Sequence, residues 1–294
     1  MQKIPVGPTI AFAYRFLIRE IGIVLGICWL PALLFSGANY FTQLYAIQNR
    51  ELLDAHDPRA AGAYFLLSIM SLAVTLYASS MAAVAITRQV MGHERPPGVL
   101  LLYFAAGRSE WRMLGANIRF LLAAGALLLI AFVVYTAALL IAGAPIEAPE
   151  QMLPTAANIA AGLVGLGALI YAFVSIIQIG FLLPPTVAME EKGGLRRAHE
   201  LAKGNVWRVL VIVAALGLPI LLLIFGAETA ILRSALGPNF VNLSPSEFFE
   251  KAGQAMEQKL GPWQLFSAIV FVLGSGLIYS GAAFAYRART SAEA

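Results

Sequence analysis

Apolar residues run along this chain in long continuous stretches, with neither the alternation of a half-buried strand nor the polar face of a soluble amphipathic helix. Spanning a bilayer takes roughly 20 apolar residues at about 1.5 Å rise each. Six stretches meet that length, at about 21–41, 62–88, 115–142, 157–183, 207–231 and 264–286. In hydrocarbon the backbone must satisfy its own hydrogen bonds, which leaves helices and closed barrels, and continuous apolar runs select helices. The pattern predicts an all-α membrane protein with six transmembrane helices, organised as a single polytopic membrane domain over residues 1–294.

Composition sharpens this reading, because 60% of residues are hydrophobic, 12% are charged and the mean hydropathy is +0.77. A soluble domain is excluded. Residues 8–20 precede the first span and carry Arg15, Arg19 and Glu20 within an apolar run, so they read as an amphipathic helix rather than a signal peptide. Lying on the membrane, that helix would turn Phe12, Phe16 and Ile18 toward lipid and Arg15 and Arg19 toward headgroups. Of the twenty Lys and Arg residues, fourteen fall in the N-terminal segment, the second loop, the fourth loop and the tail, five on the other side, and Arg119 inside the third span. Positive flanks stay cytoplasmic, so both termini are expected in the cytoplasm. The formal charge of +4 and pI near 9.3 then follow from topology and from anionic headgroups, with no nucleic acid required.

Internal repetition carries more information. Gly98 and Gly194 each stand fourteen residues before an Arg, and both copies continue as Trp-Arg-x-Leu, at Trp111-Arg112 and Trp207-Arg208, an offset of 96 residues. Glu94 and Glu191 precede the copies, and Gly107 and Gly204 lie shortly before each Trp. Trp favours the headgroup level and Arg snorkels from just inside the hydrocarbon, so the pair marks where a span enters the membrane. In the second copy Leu195, Ala198, Leu201 and Ala202 share one face, and Arg196, Arg197, Glu200 and Lys203 the other. This predicts amphipathic cytoplasmic elbow helices at about 98–110 and 194–204, with 8–20 as a degenerate third copy, in repeated elbow-span-span units. The basic elbow residues first of all fix orientation. Trp111, Arg112, Arg196, Arg197, Lys203, Trp207 and Arg208 are in addition the candidate lipid-headgroup or interface anchors.

The run "LLPPTVAMEEKGGLRRAHELAKGNVWRVLVI", residues 182–212, resembles the membrane domain associated with some bacterial glycerophosphoryl diester phosphodiesterases, and multi-pass proteins in which that domain stands alone. The resemblance implies a bacterial inner-membrane location. In fused members the hydrolase chemistry belongs to a separate soluble domain, and no such domain is read in these residues. The longest outward loop, about 232–263, has room for one amphipathic helix at about 245–260, started by Ser244-Pro245-Ser246-Glu247 and stopped by Gly261-Pro262.

Chemistry is sparse. Cys28 is the single cysteine, and His199-Glu200 lacks the second histidine of a zinc-protease helix because Lys203 occupies that place. No catalytic set and no cofactor are expected. Gly22 with Gly26, and Gly162 with Gly165 and Gly167, read as helix-packing glycines, and Ser175 and Gln178 as interhelical hydrogen bonders. Without a convergent polar constellation in the spans, the favoured function is a non-catalytic integral membrane protein associated with lipids, anionic ones included, or organising a membrane or soluble protein partner. The alternative is a transporter or flippase for a small amphiphile or lipid-derived substrate.

Overall fold

The computed structural model describes residues 3–92, 107–141, 156–190, 193–236, 251, 253–255 and 257–291, and all regular structure among them is helical. In chain order the helices are α1 (Val6–Arg19), α2 (Ile21–Gln48), α3 (Arg50–Asp54), α4 (Pro58–Met91), α5 (Arg108–Ile141), α6 (Ala156–Met189), α7 (Leu195–Ala202), α8 (Val206–Leu236) and α9 (Leu260–Thr290). Six of them, α2, α4, α5, α6, α8 and α9, are long and apolar enough to cross a membrane. The protein is an all-α, multi-pass membrane protein.

Local chemistry sets several boundaries. Asp57 caps α4 by accepting from the Arg59 and Ala60 amides at 2.9 Å, with Pro58 at the first helical position. Gly92, at φ 74°, closes the same helix in the left-handed region. Gly204, at φ 78°, makes the corner between α7 and α8. The spans outrun their sequence estimates: α2 continues to Gln48, and α6 runs through Pro184 and Pro185 to Met189. At 34 residues each, α4, α5 and α6 are about 51 Å long against a hydrocarbon thickness of about 30 Å. They tilt or project beyond it.

The centre of the bundle is α2, α4 and α9, which meet in a core of residues such as Val24, Cys28, Ala82, Ile86, Val272 and Ala283. Half of the most apolar window of α4 and of α9 is buried, against 11% for α5. Helix α5 therefore presents most of its surface to lipid and pairs with α6 as an antiparallel hairpin, with Phe120 against Gly180 and Tyr135 against Gly165. A second core lies at the Arg-rich end, where Leu182, Ala198, Leu201, Ile212, Leu216 and Ala285 join α6, α7, α8 and α9.

Helix α1 departs from the expected surface helix. Phe16 is buried, and Phe12 stacks on Phe284 at 4.7 Å between centroids; of the three residues expected to face lipid, only Ile18 is well exposed. The helix descends beside α8 and antiparallel to α9: the Tyr14 hydroxyl donates to the Ala215 carbonyl at 2.9 Å, and Ala13 packs where a Cβ on Gly281 would stand 3.5 Å away. The apolar face was readable, but α9 covers it in place of lipid, because Gly276 and Gly281 leave room for a helix to approach. Among the described residues, a Cβ added at Gly22, Gly162 or Gly167 would meet nothing within 4 Å, whereas one at Gly165 would meet Tyr135. Of the elbow expected at 98–110, residues 98–106 lie outside the described residues, and α5 begins at Arg108. Half of the expected outward helix at 245–260 likewise falls outside them, at 245–250, 252 and 256; residues 251, 253–255 and 257–258 are helical.

Candidate functional site, a polar cleft among three spans

Polar side chains recur at helical spacing on the inner faces of α2, α4 and α9. Asn39, Thr42 and Gln43 follow Phe35 on α2; Ser68, Ser71 and Thr75 surround Leu72 on α4; Gln264 and Ser267 follow Trp263 on α9. The fold brings the three stripes together as the walls of a cleft of about 460 Å³, at the end of the bundle where α2 gives way to α3 and α4 begins. The sequence reading found no such constellation. This is its main correction, since each stripe is short and the stripes of α2 and α9 lie more than 200 residues apart.

Hydrogen bonding within the cleft is partly spent and partly open. Asn39 Nδ2 donates to the Phe35 carbonyl at 2.8 Å, Thr42 Oγ1 to Ala38 at 3.0 Å, and Ser68 Oγ to Tyr64 at 2.8 Å. Such bonds to the preceding turn let a polar residue sit in an apolar helix at small cost and leave its oxygen free to accept. Gln264 Nε2 donates to Gln43 Oε1 at 2.9 Å, which ties α9 to α2 and leaves Gln264 Oε1 and the Gln43 amide nitrogen without a partner among the described residues. The hydroxyls of Ser71, Thr75 and Ser267 line the cleft and make no bond to the described residues. Among the described residues, no Asp, Glu, Lys, Arg or His lines it. The lining therefore offers neutral donors and acceptors beside the apolar surfaces of Phe35, Leu72 and Trp263. Below it, Cys28, Ala32, Ala82, Ala268 and Val272 pack into an apolar floor.

The residues singled out from sequence lie elsewhere, toward the Arg-rich end. Trp111 and Trp207 point outward, 59% and 77% exposed. Their arginines turn inward to main-chain carbonyls: Arg112 donates to Val187 at 3.3 Å, on the last turn of α6, and Arg208 to Ile4 at 2.8 Å. The Trp-Arg repeat thus has one geometry in both copies, an outward ring and a guanidinium serving a carbonyl on a neighbouring segment. At α8 the lock is double, because Asn205 Oδ1 also accepts from the Ile4 amide at 2.9 Å. On α7, Ala198, Leu201 and Ala202 are buried, Lys203 is exposed, Arg196 pairs with Glu200 at 3.1 Å and Arg197 with Glu190 at 3.2 Å. Glu190 also accepts from the Tyr286 hydroxyl at 2.9 Å, joining α6, α7 and α9. The structure does not gather the seven residues into one site. It does place Trp207 and Arg208 with Lys3 at a second groove, about 580 Å³, between α6 and α8.

Comparison of the chain with protein-family models, with curated proteins and with solved structures finds no match.

Proposed function

We propose that this protein is a non-catalytic carrier of the bacterial inner membrane, which takes the uncharged polar head of a small amphiphile or lipid-derived molecule into the cleft between α2, α4 and α9. The observation that carries this reading is the neutral polar lining set above an apolar floor. A net charge brought there would lose its hydration without gaining a partner, whereas hydroxyl or amide groups would exchange water for Ser, Thr, Asn and Gln. Among the described residues the lining hydroxyls have no acid or base beside them to activate them, which favours holding over transforming. With both termini cytoplasmic, as the distribution of Lys and Arg argues, the cleft opens toward the outer leaflet and the floor closes the inner side. The resemblance of residues 182–212 to phosphodiesterase-associated membrane domains is part of this proposal and fits a role in handling lipid-derived molecules.

Native mass spectrometry of protein extracted gently from its own membrane tests the reading. The expected result is one uncharged-head amphiphile retained at near one copy per chain, beyond the bulk lipid background. An empty cleft with a stoichiometric protein partner would instead support an accessory role, which the exposed cations Arg196 on α7 and Lys203 at its C-terminal end favour.

A further inference from the structure

The groove between α6 and α8 differs from the cleft in electrostatics and in what it opens onto. Its apolar wall is formed by Ile170, Tyr171 and Val174 of α6, and Trp207 stands at its edge on α8. Ile170, Tyr171 and Trp207 are exposed, so the wall continues into the lipid-facing surface of both helices. One end carries two cations, Lys3 and Arg208, and among the described residues no carboxylate lines any part of it. Lys3 makes no ion pair with the described residues. Arg208 spends one amino group on the Ile4 carbonyl and keeps donors on its other nitrogens. The two hydrogen bonds to the Ile4 main chain fix the backbone beside Lys3, which holds that cation over the start of α8, where the helix dipole adds positive potential.

We infer that this groove is a binding site for an anionic glycerophospholipid, with the phosphodiester between Lys3 and Arg208 and the acyl chains along Ile170, Tyr171 and Val174. A free phosphate would use only the cationic end. A zwitterionic lipid would bring its own cation against both of these. The site is separate from the α2/α4/α9 cleft, so either assignment stands or falls without the other.

Titrating the purified full-length protein with phosphatidylglycerol and with phosphatidylcholine, read by native mass spectrometry, tests the inference. Phosphatidylglycerol should be retained at about thirtyfold lower concentration, as two cations at about 1 kcal/mol each favour the anion. Lys3→Gln, which breaks no bond to a described residue, should weaken that retention about fivefold. Gly167→Leu should abolish it, because Gly167 lines the groove and a Cβ there meets nothing within 4 Å, so the new side chain fills the space without disturbing the fold. The Ser71→Leu/Ser267→Leu protein should retain the phospholipid normally. Equal retention of the two lipids, full retention by either groove variant, or displacement of the lipid by millimolar inorganic phosphate would overturn the assignment.

Discussion

Replacing Ser71 and Ser267 together by leucine is expected to remove the amphiphile from the cleft without loosening the fold. Both hydroxyls line the cleft and neither bonds to a described residue, so their loss leaves no protein group unsatisfied. Leucine suits helices that already carry Leu72 beside Ser71 and Leu265 two residues before Ser267. Each hydrogen bond to a bound head group contributes about 1 kcal/mol, so the pair should weaken retention roughly thirtyfold before any effect of filled volume. Thermal unfolding in detergent should stay within a few degrees of the parent, as expected for exchanging unpartnered polar groups for apolar ones. Loss of ligand with preserved stability separates a binding site from a structural polar seam. Unchanged retention, or loss only through unfolding, would count against the cleft.

Arg208→Ala should behave in the opposite way, lowering stability by about 2 kcal/mol. Ile4 is fully buried, and both of its main-chain groups are satisfied by the α7–α8 corner, the amide by Asn205 and the carbonyl by the guanidinium. Truncation leaves that carbonyl without its charged donor in a place water reaches poorly. It also frees the segment that leads into α1, and α1 fills the gap between α8 and α9. Arg196→Ala is the contrasting case. Its side chain is 94% exposed and meets only Glu200 one turn on, so the effect should lie within about 0.5 kcal/mol. Equal shifts in unfolding temperature for the two variants would contradict the clamp. A role for Arg208 limited to meeting headgroups would likewise predict little change.

The contrast between these arginines also shows how far the sequence could be read. Six apolar runs were enough to give the spans, because in lipid length and continuity leave the backbone few alternatives. The division of α7 into a buried face at Ala198, Leu201 and Ala202 and a charged one followed equally from spacing. Periodicity shows that a face is apolar, however, and not what covers it. Phe12 and Phe16 therefore read as lipid-facing while α9 was their partner. The cleft was hidden for a related reason. Its polar residues sit singly in apolar runs, and Asn39, Thr42 and Ser68 spend their donors on their own helices, so none marks a span as unusual. The available signal was the spacing of Ser68, Ser71 and Thr75 on α4 and of Asn39, Thr42 and Gln43 on α2, which places each set on one stripe. Only the packing of α9 against both helices turns those stripes into walls.

Accessibility of a cysteine at position 71 tests the central claim most directly. The native Cys28 is buried and serves as a silent background. In intact membranes, Ser71→Cys should react with a hydrophilic, membrane-impermeant thiol reagent applied from the outer face, and the reaction should slow when the retained amphiphile is added back. Ser80→Cys, fully buried two and a half turns further along α4, should stay unreactive. Reaction at 71 with protection, and none at 80, is what a ligand-binding cleft above a closed floor predicts. An inert cysteine at 71, or equal reaction at both positions, would contradict it.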